Sequence, residues 1–584
     1  MTCLNEYIDR LAENHRATNL FQQAPTIHFR PETENCDKDL KVLKSREKTV
    51  ITLDIGPFRA KETILQDGND GIHRSERLRS LVPNRCIFGY DVLVHVGRAL
   101  FIQGFSEHRI VEELAQKNVP ISRREIGYLG GKFIAYLAVA HHQSSLQLKE
   151  AMAWRGGYIL HLDGTCEADS PHLFTGMDGI ARIVLDNIKI PSEKAELLIP
   201  FLRRIKRRYG DPLALVHDMG KGILSAVETV FKGVPDFICH FHFLRDIGKD
   251  LFEEEYAVVR NRLRKHKIRP LLAKKIKSLE KMMDNDAEAV RALADGIDDG
   301  HIDPEAIEKT PAAAAYAMVR WTLDTSELDG YGFPFDCPHI VFHQRLLALL
   351  DLINQGLIKN RFFSQLWGPL IRVFEDPQLK KAAKRMQKKT ETFKKLRKAL
   401  AMAVPQGKQG LNDEGKEIAI GTIEEKVKCF REEIETDEEY SKMVEQIDKY
   451  WEKLFADPIM VSSPTGPLEI QPQRTNNIME RFFRDLKRGN RKRSGMKSLG
   501  KTLRFLLADT PLVKNLENPE YVEILLDGCD TLEERFAKID SHTVVERVKA
   551  ERKNQGRIPP EMKKIIQRPD LPQQLTMLLS SRQY

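Results

Sequence analysis

Cysteine is scarce in this chain: eight in 584 residues, with no CxxC pair. That is too few for a disulfide scaffold and lacks the paired spacing of common zinc modules. Long apolar runs are also missing. No stretch approaches 18 uninterrupted apolar residues, so no membrane span or membrane partner is expected. The first residues, MTCLNEYIDRLAENHRATNL, read as a short polar helix without the basic cap and apolar core of a signal peptide. No phosphate loop of the GxxxxGKS or GxxxxGKT type occurs, which removes support for nucleotide hydrolysis. A large excess of one charge is absent too: 92 Lys and Arg face 84 Asp and Glu, which excludes a polybasic tail protein. The expectation is an intracellular protein, cytoplasmic or nucleoid-associated, with about three or four domain cores.

The modest net charge of +8 conceals clusters. Residues 481–504, RFFRDLKRGNRKRSGMKSLGKTLR, hold ten Lys or Arg against one Asp. Residues 380–398 hold ten against Glu391 alone, and residues 260–281 form a third basic run. One such run is usually a solvated helix face; three in one chain favour a polyanionic partner. Phe482, Phe483, Phe362, Phe363, Trp367 and Phe393 lie among or near the basic residues, as base stacking would need and as helix cores would also need.

Residues 1–88 are poorly patterned, with one stretch, TVITLDIGPFRA, that reads as a strand. Cys3, Cys36 and Cys86, with His28 and His73 as further donors, are too scattered for a strong zinc signature. Residues 89–153 turn helical. SEHRIVEELAQ, the turn KNVP and ISRREIGYLGGKFIAYLAVAHH follow the grammar of a helix-turn-helix, with a Ser122/Glu125 capping box and Arg123 and Arg124 at the helix start. An ordinary helical hairpin reads the same way.

Residues 154–250 run strand, strand, strand, helix, strand, helix, strand, helix, which is how an RNase H-like sheet reads: an α/β layer with a mixed five-stranded sheet and flanking helices. Residues 251–460 are almost wholly helical in pattern, an all-α insertion. Residues 461–512 open with the helix breaker VSSPTGPLEIQPQ and continue into a capped helix from Thr475. Residues 513–584 read as a charged C-terminal tail, an appendage.

Asp163 in HLDGT and Asp218 in LVHD each stand at the end of an apolar strand. If those strands are neighbours, the two carboxylates share one edge, repel each other, and suit a hard divalent cation. Glu480 is the third acid by context: Ile478, Phe482 and Leu486 form one helical stripe, while Glu480, Arg484 and Lys487 share another face. On spacing alone a surface Glu–Arg pair explains that face equally well. Cys239 and His242 form a CxxH after the last strand; two ligands make no zinc site, and anchoring of the strand-to-helix junction is the better reading. His217 beside Asp218 reads as a packed strand histidine.

The ordered set HLDGT, LVHDMGKG, CHFH and TNNIMERFFRDLKRGNRKRSG resembles the DDE-type transposases of insertion sequences, in layout the Mutator-like and hAT-like group. The resemblance covers roughly residues 90–510. It implies an RNase H-like catalytic domain interrupted by the helical region, with Asp163, Asp218 and Glu480 as catalytic residues holding two divalent ions, Mg²⁺ or Mn²⁺. It implies cleavage at the element's ends and strand transfer, acting on double-stranded DNA (terminal inverted repeats and target) as a homo-oligomer, at least a dimer. The helical N-terminal region, through Arg123 and Arg124, would read the repeats. Arg484, Lys487, Arg488, Arg491, Lys492 and Arg493 would clamp phosphates, and Trp321 or Trp367 would stack a displaced base. Relatives often carry a cysteine-paired zinc module near the N-terminus; the unpaired cysteines here depart from that pattern. The alternative reading is a domesticated or decayed relative that binds DNA without cutting it. A third is an RNA-processing nuclease on the same fold.

Overall fold

The computed structural model describes residues 24–32, 40–283, 287–299, 311–324, 331–356, 360–402, 419–464, 466–554 and 560–580. The chain divides into two units: Met1–Asp236 with Ile459–Ile470 and Asn476–Tyr584, and Phe237–Pro458 with Gln471–Thr475.

The first unit begins with β1 (Thr26–Phe29), β2 (Lys41–Thr52), β3 (Gly56–Gln66) and β4 (Ile72–His73). β2 and β3 form an antiparallel hairpin, β1 runs parallel along the other edge of β3, and β4 pairs with the end of β3. The TVITLDIGPFRA stretch is therefore two strands, with the turn closed at Gly56, whose φ of 78° suits glycine. The outer half of β2 is exposed on both faces, so its sequence carries no alternation to announce it.

Helices α1 (Glu76–Leu81), α2 (Tyr90–Phe101), α3 (Glu107–Gln116), α4 (Arg123–Gln143) and α5 (Ser145–Trp154) follow. The capping box at α4 forms: the Ser122 hydroxyl accepts from the Glu125 N–H, and the Glu125 carboxylate accepts from the Ser122 N–H at 2.8 Å. Beyond its first two turns α4 is buried on every side, from Lys132 to His141. A helix apolar all round belongs to a core, and exposure is confined to its beginning, with Arg123 and Arg124, and to Gln143 at its end. α2 crosses it closely, because a Cβ on Gly97 would lie 2.1 Å from the Phe133 ring.

The central sheet comes next: β5 (Ile159–Thr165), β6 (His172–Asp178), β7 (Ile183–Ile190), α6 (Ala195–Tyr209), β8 (Ala214–His217), α7 (Lys221–Val230) and β9 (Asp236–Ile238), where the first unit gives way to the second. The strand order is β7-β6-β5-β8-β9. β5–β6 and β6–β7 are antiparallel, whereas β5–β8 is parallel. β5 is the middle strand and is buried through Asp163. α6 is amphipathic and ends at Gly210, φ 86°.

The described part of the second unit is helical: α8 (His240–Lys265), α9 (Ile268–Met283), α10 (Ala287–Asp299), α11 (Pro311–Leu323), α12 (Pro338–Asn354), α13 (Arg361–Phe374), α14 (Pro377–Ala399), α15 (Ile420–Ile434) and α16 (Ser441–Leu454). Phe243, Phe252, Leu346, Phe363 and Leu396 are among its fully buried side chains. Asp376 caps α14 and accepts from Arg262 and His266 at 2.6 and 2.7 Å. Part of the basic run on α14 is neutralised internally: Lys388 pairs with Asp437 and Glu439, Lys389 with Glu255, and Lys395 with Glu433.

The chain returns to the first unit with the hairpin β10 (Ile459–Ser463) and β11 (Gly466–Ile470), built from the segment that reads in sequence only as a helix breaker. Then come α17 (Asn477–Ser494), α18 (Leu499–Phe505), a 3₁₀ turn over Thr510–Glu517, α19 (Pro519–Leu526), α20 (Leu532–Ala537), α21 (Ser541–Asn554), α22 (Pro560–Ile566) and α23 (Leu571–Ser580). The expected appendage is corrected here, since much of it is core. Tyr521, Leu525, Leu532 and Phe536 are buried, and the Phe536 ring packs on Phe133 and Tyr136. The Asn515 amide pairs with both the N–H and the C=O of Val184 on β7. Arg547 of α21 binds Asp509 at 2.6 Å, in a half-buried cluster with Asp186, Arg204 and Arg208. Among the described residues no helix is long and apolar enough to cross a membrane.

Candidate active site

Asp163 lies in β5 and is 7 % exposed. β5 and β8 pair in parallel at Leu160↔Leu215 and His161↔Val216; extending that register by two residues sets Asp218 level with Asp163 on the same side of the sheet. Asp218 also shapes the turn after β8, where its Oδ1 accepts from the Gly220 N–H at 3.0 Å just before α7. The Asp163 carboxyl accepts from the Gly164 N–H at 2.8 Å. Burial raises its pKa well above the usual carboxylate range, and the neighbouring charges of Asp218, Glu480 and Glu193 raise it further. Asp163 thus lies within electrostatic reach of both other acids expected from sequence, although Glu480 follows Asp218 by more than 250 residues.

Glu480 reaches this edge because of how α17 begins. The residue before the helix is Asn476, and its side chain makes no capping bond. Instead its Nδ2–H donates to the Leu162 carbonyl at 2.9 Å, and its Oδ1 stands 2.8 Å from His161 Nδ1. An oxygen only accepts, so His161 donates from Nδ1. Both bonds are buried, and they grip the two residues of β5 that precede Asp163. Burial holds His161 neutral, its pKa lowered to about 4. Helix geometry then carries Glu480, one turn on, to the exposed rim of the acidic edge, while Ile478, Met479, Phe482 and Phe483 go into the core. His161 and Asn476 have no signature in sequence, since 315 residues separate them. Glu193, in the segment before α6, is a further acid that the sequence reading passes over.

Most of the basic residues assigned to DNA lie on the surface. Arg123 and Arg124 are exposed at the start of α4, and Arg484, Lys487, Arg488, Arg491 and Lys492 are exposed on α17. Lys492 donates to the Gln103 carbonyl at 3.0 Å. Arg493 is half-buried. Its guanidinium lies 4.7 Å above the Phe101 ring and donates to Asn490 at 2.8 Å, so it packs against α2 rather than projecting outward. Lys487 lies close enough to Glu167 to lower its pKa, after the stronger effects of the Gly500 N–H and Ser498 hydroxyl.

In the second unit, buried Cys239 immediately precedes α8 and half-buried His242 lies in its first turn. His240 between them is fixed at both ends: its N–H donates to the Arg474 carbonyl at 3.0 Å, and its ring Nε2 meets the Leu454 carbonyl at 2.6 Å. These bonds of the junction are made by His240, whereas the sequence reading assigns the anchoring to Cys239 and His242. His217 is fully buried between the Asp218 carbonyl and Asp236, a packed histidine. Of the zinc candidates, Cys3 and Cys36 lie outside the described residues, Cys86 is buried and unbridged, and His73 pairs with Asp67. Trp321 lies under the Arg345 guanidinium, and the Trp367 indole N–H donates to Asn354.

Among the described residues no three His, Cys, Asp or Glu side chains are gathered into a formed metal group. The donor chemistry at the sheet edge nevertheless fits a hard divalent cation: carboxylate oxygens only, with accumulated negative charge that perturbs Asp163. No protein-family model and no curated protein matches the chain.

Proposed function

We propose that the first unit is a DDE-type DNA transposase core of RNase H-like fold, which cuts phosphodiester bonds at the ends of a mobile element and joins them to target DNA. The observation that carries this reading is the parallel pairing of β5 with β8, whose register sets Asp163 and Asp218 level on neighbouring strands; the upward shift of the Asp163 pKa, to which Glu480 contributes after burial and Asp218, supports Glu480 as the third acid. The strand order β7-β6-β5-β8-β9, with β5 parallel to β8 alone of its two neighbours, supports the fold. The passage of the chain out of the first unit between β9 and β10 supports an all-α insertion.

Asp163, Asp218 and Glu480 would hold two divalent ions, which when bound supply charge neutralisation at the scissile phosphate and acidify the attacking hydroxyl. The residues of the chain do the rest. The buried position of Asp163 excludes water behind the reacting edge, which strengthens every charge interaction there. Asn476 and His161 fix the direction of α17. The exposed cations of that helix, Arg484, Lys487, Arg488 and Arg491, run away from Glu480 along the surface and give a backbone phosphate track. Two hydroxyl nucleophiles in turn, water and a DNA 3′ end, require no covalent enzyme intermediate. The partner is double-stranded DNA, bound by at least two copies, within the cell.

The test is Mg²⁺-dependent nicking of a duplex carrying the DNA that borders the reading frame. Asp163→Asn is expected to reduce nicking by a factor of 10³ or more while DNA affinity stays within about twofold. Affinity lost in parallel with nicking would make Asp163 structural and remove the enzymatic reading. Binding without nicking by the unaltered protein would favour the domesticated relative.

A further inference from the structure

A cavity of about 550 Å³ opens in the first unit between the start of α4 and the end of α17, within the size range of small-ligand sites. Arg123 lines it from α4 and Arg493 from α17, two residues that the sequence reading gives to separate parts of a DNA site. Two aromatic side chains line it with substantial surface toward solvent, Tyr128 at 43 % exposure and Phe505 at 69 %. Glu107 lines it as well, within electrostatic reach of the Arg493 guanidinium. Planar apolar surface, hydrogen-bond donors and an acceptor thus share one space.

Two glycines of α4 keep that space open. Beyond the helix's own backbone, and among the described residues, a Cβ on Gly127 would meet nothing closer than Glu107 Oε1 at 3.6 Å. One on Gly131 would meet nothing closer than Leu507 Cδ1 at 3.9 Å. Both are ordinary contact distances, and neither glycine has a positive φ. Gly130 between them differs, since a Cβ there would lie 2.6 Å from Leu100 Cδ1. Alanine is the better helix former at Gly127 and Gly131, and neither packing nor backbone conformation gives a reason to forgo it. An occupant from outside the chain does.

We propose that this cavity receives a single base of the DNA, turned out of the duplex and stacked on Tyr128 and Phe505. The proposal rests on the transposase reading and deepens it, by assigning a place where the element's end is read away from the cut. Aromatic faces accept any base, whereas Arg123 and Arg493 as donors and Glu107 as acceptor discriminate among base edges. The exposed cations Arg488 and Arg491 lead along α17 to Arg493. They match the phosphates on either side of a displaced nucleotide, a charge that an apolar peptide in the same cavity would not call for. Arg493 follows Glu480 by 13 residues, which is about 20 Å of helix or roughly six base pairs of duplex.

The affinity of the full chain for a set of duplexes tests this, each duplex carrying the DNA that borders the reading frame with one mismatched pair. A mismatch spares the cost of unpairing, so one position roughly six pairs from the cut is expected to bind about tenfold more tightly than the matched duplex. Phe505→Ala, a change at an exposed side chain, is expected to weaken the matched duplex by about fivefold or more and to flatten the scan. Gly127→Leu with Gly131→Leu fills the cavity with good helix formers, and is expected to keep Tm while weakening DNA binding by about tenfold or more. A flat scan with the unaltered chain, or DNA affinity unaltered in both variants, would overturn the base site and leave the three acids standing. A change of oligomeric state in the filled variant, with DNA affinity unaltered, would give the cavity to a second copy and overturn it likewise. Should the unaltered chain bind these duplexes no better than an unrelated sequence, the transposase reading falls and this proposal with it.

Discussion

Asn476 stands where a helix-capping side chain is expected, yet its amide serves β5 instead. Forgoing the cap costs α17 about 1 kcal/mol, which the two buried tertiary bonds offset. Asn476→Ala strands the Leu162 carbonyl and the His161 Nδ1–H in the interior, and each such orphan costs about 1–3 kcal/mol. The expected outcome is a loss of about 2 kcal/mol or more in urea unfolding of the first unit, without a change in m. A loss below about 0.5 kcal/mol would mean that other contacts hold the helix start.

At this scale the sequence was partly legible. Asp163 and Asp218 stand out because a carboxylate interrupts an otherwise apolar strand, and Glu480 because a helical stripe leaves it on the polar face. His161, Asn476 and Glu193 were not legible. Their meaning lies in contacts made across the chain, and each looks locally like a strand residue, a cap or a loop acid. The stacking of Arg493 on Phe101 was not legible for the related reason that a guanidinium in a basic run gives no sign that an aromatic ring awaits it.

At the scale of elements, intrinsic preference and packing make opposite demands at Gly97. Alanine is the better helix former by about 1 kcal/mol, so an exposed Gly→Ala exchange in α2 would stabilise. Here the new methyl would enter the Phe133 ring, and overpacking of a core costs about 1–3 kcal/mol. Gly97→Ala is expected to lower Tm, and Phe133→Leu in the same chain to restore part of the loss. A raised Tm would show that α2 and α4 are further apart than described.

Elements were readable where burial imposes a period. β5 to β8 and the helices from α2 to α7 follow their hydrophobic patterns, and the Ser122/Glu125 box forms as its spacing predicts. β2 escaped because its outer half faces water on both sides. The helical tail after Leu512 reads as an appendage because each of its helices buries only a few residues, Tyr521 and Leu525 in one and Leu532 and Phe536 in the next, amid many charges. For α4 the apolar ring of FIAYLAVAH already speaks for a core helix, and only its first two turns keep the exposure that groove reading would need.

For the whole molecule, buried histidines set the response to acid. His141 and His161 are held down to about 4 and His240 and His242 to about 3, in each case mainly by burial. The unfolded chain takes up these protons below about pH 6.5 and the folded chain does not, so stability present above 6.5 is lost as pH falls below it. Asp91 and Asp178, raised to about 6 by burial, act in the opposite sense. They remain protonated in the folded state where the unfolded chain has released the proton, and they favour folding only as pH falls to about 6 and below. The urea midpoint is therefore expected to decline between pH 7.5 and 6. A midpoint that rises over that interval would mean that these histidines are hydrated.

The route of the chain through its first unit also has a consequence during translation. The central sheet ends with β9 at Ile238, but Met479, Phe482 and Tyr521, which share its buried core, are encoded beyond the second unit. At roughly 5–20 residues per second, a ribosome needs on the order of 10–40 s to pass through residues 237–458 before the first of them emerges. For that interval the nascent sheet has no natural cover. Completion of this core therefore waits until the polypeptide is nearly finished.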